Sequence, residues 1–443
     1  MPVTYLYNSK VLQYISKLNQ NWNSCLLKKS LFIFLLLLSA SWGVNSFPHA
    51  SLGVIPVAII FNLWRAKGEK IFVFQTLAPL FILFVIVLLS TFLWGFERPR
   101  YEIFRDFYYF GKPVLFIYAG MVLFCLLDHD YSKCLKIIAI VIAVQIALQF
   151  LFVSISGISL GLVNRQEGGF IGIESNILFL ITAVARRCRF ALFSSRKLLS
   201  LELLALTGIA FSFGRTFYVF TALAWLLIYF DRKRVYQWIG ILMSVFAMLT
   251  IFHGELLLDY FHADVEDYST LNNKLRNSFN ELLVFERTDM TSINREWRGF
   301  EAYLGLQMFF EGNIIQQLAG QGAGAICRND IFLDERLSAL PIFHNGYVTI
   351  LLKAGYLGLF FFFLFICSLF NTGTPSGQSG RYITSLLALL GINLLFNTQV
   401  IHGIFTNETP MFLLLLVGVS LACRNDITST VVSSEHIHRE CSC

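Results

Sequence analysis

Long apolar runs along nearly the whole chain constrain its fold more than any other feature. A transmembrane helix needs about 17–25 predominantly apolar residues, and runs of roughly this size recur from residue 31 to residue 422. Of the 443 residues, 56% are hydrophobic and only 14% are charged, and the mean hydropathy is +0.64. A soluble domain cannot bury that much apolar surface, so the solvent for most of this chain is predicted to be lipid.

The character of these runs predicts an all-α fold. Backbone polar groups in lipid must be hydrogen-bonded within the protein, and the runs are apolar on every face, unlike the alternating strands of a membrane barrel. We therefore predict a polytopic membrane protein of about twelve transmembrane helices, several of them short. The candidate spans are 31–47, 50–64, 71–94, 113–127, 137–156, 171–185, 198–213, 215–230, 235–252, 343–370, 383–400 and 408–422.

The segment 198–230 is predicted to be a hairpin of two helices. One continuous helix over these residues would be about 50 Å long, well beyond a hydrocarbon core of roughly 30 Å. The polar residues at 212–215 (Ser-Phe-Gly-Arg) fit a turn between two shorter spans.

The positions of Lys and Arg predict the orientation of the chain. Basic residues precede the first apolar run and recur in every second loop, and the positive-inside rule assigns their side to the cytoplasm. Both termini are then predicted to be cytoplasmic. Topology accounts for the net charge of +6, so no nucleic-acid partner is predicted. The basic residues are Lys10, Lys17, Lys28, Lys29, Arg65, Lys67, Lys70, Lys133, Lys136, Arg186, Arg187, Arg189, Arg196, Lys197, Arg232, Lys233 and Arg234.

The chain is predicted to form one membrane bundle with one sizeable loop. Residues 1–252 would hold spans 1–9, and 253–342 a large loop on the outer side between spans 9 and 10. Residues 343–422 would form a short interfacial helix plus spans 10–12, and 423–443 a cytoplasmic tail. Of the nine cysteines only Cys327 falls clearly in the loop, which therefore has no internal disulfide partner for it.

Motifs of common soluble enzymes are missing from the sequence. There is no Walker loop, no His-Glu-x-x-His and no Gly-x-Ser-x-Gly elbow. The acidic stretch 264–267 has ligands for a hard cation, although a solvated acidic loop is the simpler interpretation. No metal and no cofactor is predicted.

Arginines beside apolar runs are the first candidate functional groups. Arg215 lies between two apolar runs, where a charge is costly unless it faces the bundle interior or water; the alternative is an arginine that snorkels to the interface. Arg165 precedes another run, and its alternative is a local pair with Glu167. Arg295 and Arg298 share one face of an amphipathic helix and suit bidentate capture of phosphate, or are simply solvated.

His344 is the fourth candidate, at the boundary between the polar loop and an apolar run. His344, Tyr347 and Leu351 recur at helical spacing, whereas Lys353 argues against this piece lying deep in lipid. Gly355 would then begin the true span. We predict a short interfacial helix that presents His344 outward, the alternative being a histidine with a structural role.

Four short motifs follow one another between residues 165 and 359. Segment 165–176 runs Arg…Gly-Gly-Phe…Ser-Asn, near an Arg-x-x-Gly-Thr-Phe…Pro-Asn pattern, and 212–216 contains an Arg-Thr after Ser, near Ser-Arg-Thr. Segment 320–324 is Gly-Gln-Gly-Ala-Gly. Segments 344–347 and 355–359 follow a His-Asn-x-Tyr-Leu…Gly-x-x-Gly-Leu pattern. In this order the motifs resemble the O-antigen polymerase and O-antigen ligase superfamily of bacterial polytopic membrane proteins.

The resemblance implies a glycosyltransferase with a GT-C-like membrane architecture. It would act at the periplasmic face of a bacterial inner membrane, on an oligosaccharide linked to undecaprenyl diphosphate, with a chain-length regulator as a further partner. A surface-polysaccharide polymerase is preferred, because motif spacing and the divergent outer loop are typical of it. The alternatives are an O-antigen ligase acting on lipid A-core and a transporter of lipid-linked sugars.

The resemblance and the residues together give a predicted site. Arginines would stabilise the diphosphate leaving group without a metal, and a histidine would take the acceptor proton. The predicted catalytic residues are Arg215, His344, Arg295 and Arg298, and the predicted substrate-binding residues are Arg165, Asn176, Gly322, Gly324, Asn345 and Tyr347.

Overall fold

The structure is a computed structural model, and its described residues are almost all helical. They are 74–127, 129–156, 170–212, 215–230, 233–252, 282–284, 293, 297–328, 339–340, 343–370, 377–400, 403–406 and 411–440. Apart from one pair of two-residue strands, the regular elements in these ranges are helices. The predicted all-α class is confirmed for this part of the chain.

Twelve helices and two strands make up the described chain. Six of these helices, α1, α2, α3, α7, α10 and α11, are long and apolar enough to cross a membrane, as a membrane protein requires. The elements are α1 Phe74–Trp94, α2 Arg100–Leu126, α3 Tyr131–Ser156, α4 Phe170–Arg187, α5 Ser195–Phe211, α6 Arg215–Phe230, α7 Lys233–Phe252, α8 Trp297–Glu311, α9 Ile314–Ala319, β1 Cys327–Arg328, β2 Ala339–Leu340, α10 Gly346–Phe370, α11 Gln378–Val400 and α12 Met411–Glu440.

The predicted spans correspond to helices wherever the structure describes them. The candidates 31–47 and 50–64 lie outside the described residues, and each of the others overlaps one helix. The hairpin is confirmed, since α5 ends at Phe211 and α6 begins at Arg215. Helix α12 runs on without a break into the predicted tail as far as Glu440, and the tail itself stays a prediction. The total of twelve spans stays a prediction.

Close helix crossings build the core of the bundle. Nearly every residue of α11 is buried, and it contacts α4, α7, α10 and α12. Where α2 crosses α12, Gly120 meets Gly418, and a Cβ on either glycine would overlap the backbone of the other helix. Small residues at such crossings let helix backbones touch, which drives association in lipid.

The described part of the 253–342 loop packs on one end of the bundle. Helices α8 and α9 lie against the first half of α10, and α9 also contacts α1. The strands β1 and β2 pair antiparallel, with Cys327 opposite Leu340. We call this end, where α1 ends and α10 begins, the loop end; it carries most of the predicted site residues that the structure describes.

Helix α10 is two helical pieces joined at Gly355. This glycine has φ 67° and ψ −167°, which only glycine adopts readily, so the helix breaks there. The break agrees with the predicted start of the span. All residues from Gly346 to Gly355 are buried in the protein, however, and the first piece is an enclosed half-helix.

Candidate functional site

The loop end holds a close pair between His344 and Glu301. His344 Nδ1 lies 2.5 Å from Glu301 Oε2, and the backbone N–H of His344 donates to the same oxygen at 3.3 Å. The Glu301 side chain is 3% exposed and that of His344 is 32% exposed. A buried carboxylate thus fixes the orientation of an imidazole that reaches the surface of the site.

Tight packing of α8 on α10 places Glu301 opposite His344. Gly305 of α8 sits so close to α10 that a Cβ there would lie 2.6 Å from Val348 Cγ1. Glu301 is one helical turn before Gly305 on the same buried face, next to Phe300 and Ala302. His344, two residues before α10 begins, therefore contacts Glu301.

The contact with Glu301 selects one tautomer of the neutral His344 ring. A carboxylate that accepts from Nδ1–H leaves the lone pair of the neutral ring on Nε2. It also stabilises the imidazolium that forms when Nε2 takes up a proton. The pair therefore has the chemistry of a general base.

Arg298 lies on α8, the helix that carries Glu301. It is three residues before Glu301, a spacing that places side chains about 5–6 Å apart at Cβ. Its side chain is half-buried. Of the two arginines predicted on this helix, Arg295 lies outside the described residues, and Arg298 is placed one helical turn from Glu301.

Asn345 and Tyr347 hold the start of α10. The Asn345 side chain accepts from the backbone N–H groups of Tyr347 at 3.1 Å and Val348 at 3.4 Å, which caps the helix. Tyr347 is fully buried and donates to the carbonyl of Leu395 on α11 at 3.0 Å. These contacts give both residues a role in positioning His344, and their predicted contact with substrate stays a prediction.

Asn176 joins α4 to α6. Its amide donates to the Gly172 carbonyl at 2.9 Å, and its oxygen accepts from Thr221 Oγ1 at 2.6 Å. The residue is buried, and these bonds are to α4 and α6. Its hydrogen bonds give Asn176 a role in joining these two helices, and none of these bonds is to His344 or Glu301.

Lys353 forms a buried ion pair with Asp106 of α2. The two side chains are 0% and 1% exposed, and Lys353 Nζ also donates to the Ala325 carbonyl at 3.1 Å. The prediction that Lys353 keeps this piece out of deep lipid stays a prediction, and the structure encloses the lysine in protein. A carboxylate 247 residues away in the sequence pairs with this lysine, and the pairing offsets the desolvation penalty of the buried charge.

The segment 320–324 is locked against this ion pair. Gly324 N–H donates to Asp106 Oδ2 at 2.7 Å, and Gly322 N–H donates to the Lys353 carbonyl at 3.0 Å. Arg98 Nη1 donates to the carbonyls of Gln321 at 2.7 Å and Ala323 at 2.9 Å. The backbone donors of Gly322 and Gly324, predicted to bind substrate, are thus bonded within the protein and fix the half-helix that begins beside His344.

Replacing Gly322 by alanine is expected to destabilise the ligand-free protein. Gly322 has φ +83°, and a Cβ would lie 2.5 Å from the backbone nitrogen of Thr91. Gly377 has φ +108° with nothing within 4 Å, so Gly377→Ala carries the same kind of backbone strain without the clash. We expect Gly322→Ala to cost about 1–3 kcal/mol more in thermal unfolding than this control. Equal stability of the two variants would argue against the locking role.

Cys327 is a buried thiol near the carboxylates of Glu311 and Glu301. Burial raises its pKa to about 11, and the negative charges of Glu311 and Glu301 add to the effect. At neutral pH it is therefore a protonated thiol and a poor nucleophile.

The predicted site residues are only partly brought together. His344 contacts Glu301, and Arg298 lies one turn before Glu301 on α8. Asn345 and Tyr347 hold the start of α10, while Gly322 and Gly324 support the far end of the half-helix. Arg165, Arg295 and the side chain of Arg215 lie outside the described residues. Comparisons of the chain with protein-family models, with curated proteins and with solved structures gave no match.

Proposed function

We propose that the protein is a glycosyltransferase that joins polysaccharide repeat units carried on undecaprenyl diphosphate. The observation that carries this proposal is the His344–Glu301 pair, a general base set at one end of a membrane bundle. A lipid-linked donor keeps its chain in the bilayer and its sugar at the bundle end. The site would face the periplasm of a bacterial inner membrane, as the distribution of Lys and Arg predicts.

The proposed reaction is attack by an acceptor hydroxyl on the anomeric carbon of the donor sugar. A bond forms between the acceptor oxygen and that carbon, and the carbon–oxygen bond to the diphosphate breaks, with the electron pair leaving on the diphosphate. His344 Nε2 takes the acceptor proton, and Glu301 stabilises the resulting imidazolium. Removing the proton during attack contributes about 10²–10⁴ in rate for a well-placed base.

Arginines would stabilise the leaving diphosphate. Negative charge grows on its oxygens as the glycosidic bond breaks, and guanidinium groups bind such oxygens through two parallel hydrogen bonds. Arg298 is three residues from Glu301 and is suited to this role. Arg165, Arg215 and Arg295 are proposed to complete the anion site.

A ligase is the second candidate, because it would use the same donor and the same base. It passes the glycan to lipid A-core, whereas a polymerase passes it to another lipid-linked unit. The envelope glycan of a deletion strain separates the two. Loss of long chains with one capped repeat retained supports the polymerase, and loss of all capping with polymer left on the lipid supports the ligase.

A transporter of lipid-linked sugars is the third candidate. Many spans and interior charges also suit transport, which usually places its binding groups near the middle of the membrane between repeated halves. The sequence shows no obvious inverted repeat, and the predicted polar groups gather on one side. These features favour transfer over transport.

Replacing Arg298 by glutamine is expected to slow polymer formation by about 10²–10³-fold, the usual loss for one donor to a developing charge. The readout is the chain-length distribution of envelope glycan in a complemented deletion strain, at matched protein levels. Arg381→Gln, on an exposed residue at the start of α11, should retain the wild-type chain-length distribution.

Arg215→Ala is also expected to abolish growth of the glycan chain while the protein still inserts. Normal polymer from both Arg298→Gln and Arg215→Ala would reject the proposed anion site.

A further inference from the structure

A cavity of about 590 Å³ lies between α4, α5 and α6, among residues unconnected with the His344–Glu301 pair. Its wall on α5 runs from Leu199 to Ala210. The eleven residue steps between them rise about 16 Å along the helix, close to half of a hydrocarbon core of roughly 30 Å. The cavity therefore has the depth of one leaflet of a bilayer.

An ion pair with an unused oxygen forms one end of this cavity. Arg186 Nη2 lies 2.6 Å from Glu202 Oε1, and both residues line the cavity. The Glu202 side chain is 6% exposed, whereas that of Arg186 is 53% exposed. In the part of the chain that the structure describes, the buried Glu202 Oε2 accepts no hydrogen bond. A buried acceptor without a donor is costly, so this oxygen favours a ligand that brings one.

The remaining wall is apolar and ends in aromatic rings at the level of the ion pair. Leu199, Leu203 and Trp225 line the cavity and are all exposed. Trp225 stacks on the exposed Tyr229 at a centroid distance of 6.4 Å, and the Tyr229 carbonyl accepts from Arg187 at 3.3 Å. Exposed tryptophan and tyrosine beside arginines are typical of the headgroup region. The ion pair thus lies at headgroup depth, with apolar surface beneath it.

We propose that this cavity binds a phospholipid whose headgroup carries a primary ammonium. The ammonium donates to Glu202 Oε2, the phosphate pairs with the exposed guanidinium of Arg186, and an acyl chain lies along Leu203 and Leu206. Both charges of the headgroup then meet opposite charges at the cavity end. The proposal does not depend on the proposed glycosyl transfer.

Other occupants match the cavity less well. Free phosphate would use Arg186 but leave the apolar wall and Glu202 Oε2 without a partner. Phosphatidylglycerol brings an anion beside a buried carboxylate and no cation to offset it. Phosphatidylcholine matches in charge, but its quaternary ammonium has no N–H to donate.

The test compares phosphatidylethanolamine with phosphatidylcholine of the same acyl chains. Native mass spectrometry of the full-length protein, titrated with each lipid, gives the ratio of the two affinities. We expect about a tenfold preference for phosphatidylethanolamine, as one hydrogen bond to a charged group provides. Glu202→Gln should reduce the ratio to about one, while Lys197→Gln, an exposed residue outside the cavity, should retain it.

Equal affinity for the two lipids, or a preference unchanged in Glu202→Gln, would overturn the proposal. So would tighter binding of phosphatidylglycerol or of inorganic phosphate. If Glu202→Gln does not fold, phosphatidylethanolamine with brominated chains is added to the otherwise unchanged protein. Subtracting the signal of Trp225→Phe isolates quenching at Trp225, which should exceed that by brominated phosphatidylcholine. Equal quenching by the two lipids would contradict the assignment.

Discussion

His344→Asn is expected to lower the rate of glycosyl transfer by about 10²–10⁴ while the protein still inserts and folds. Asparagine keeps a polar side chain near Glu301 but cannot accept a proton from the attacking hydroxyl. The measurement is turnover of lipid-linked oligosaccharide in reconstituted vesicles, with thermal unfolding of the purified variant alongside. A wild-type rate in His344→Asn would remove the histidine from the mechanism.

His129 provides a matched control for this prediction. It is exposed, lies between α2 and α3, and is 3.5 Å from Asp426. His129→Asn makes the same chemical change away from the loop end and should retain the wild-type rate.

Glu301→Gln keeps an acceptor beside Nδ1 of His344 but removes the charge that stabilises the imidazolium. We expect Glu301→Gln to lower kcat and leave KM for the donor unchanged.

Lys353→Met is expected to destabilise the protein by about 3–5 kcal/mol, the typical cost of leaving a buried partner charge uncompensated. Asp106 would remain 1% exposed, and Arg105, 3.3 Å from its Oδ1, would offset the charge only in part. The double variant Lys353→Met/Asp106→Asn removes both charges, retains an acceptor for Gly324 N–H, and should recover most of the lost stability. Thermal unfolding of the detergent-solubilised protein measures both.

The control for this experiment is a lysine of the surface. Lys133 is exposed and lies 3.2 Å from Asp130, so Lys133→Met should cost less than about 1 kcal/mol. A double variant as unstable as Lys353→Met would mean that lost packing, and not the loss of the lysine charge beside Asp106, is responsible. Destabilisation by Lys353→Met no greater than that of Lys133→Met would contradict the buried pair itself.

Hydropathy predicted the helices well because a helix that spans a membrane is apolar along its whole length. The limit on span length placed the turn before Arg215, and Lys353 together with Gly355 placed the break inside the run 343–370. Hydropathy placed the start of α2 at residue 113, whereas the helix begins at Arg100, because its first turns carry charged residues such as Asp106 and Lys112. In an apolar scale each of these charges counts as a penalty. Only the fold shows that Asp106 is buried against Lys353 from a distant helix.

The site was predicted only in part, because the sequence shows local patterns but not contacts between distant elements. His344 and Arg298 stand out because a polar group beside an apolar run, and paired arginines on one helix face, are local patterns. Glu301 was not singled out among the acidic residues of the loop, although its spacing from Arg298 places both on one side of α8. Its contact with His344 depends on how α8 packs against α10 at Gly305, which no local pattern contains.

The fate of the donor linkage tests the central claim most directly. Sealed vesicles that contain the purified protein are supplied with lipid-linked oligosaccharide, extracted from cells that encode the chain and labelled in its phosphates. Glycosyl transfer predicts that the label moves to free undecaprenyl diphosphate as longer lipid-linked glycan forms, and that His344→Asn prevents both changes. Label that stays in the intact donor, including donor carried to the other face of the vesicle, would contradict the proposed transfer and favour transport.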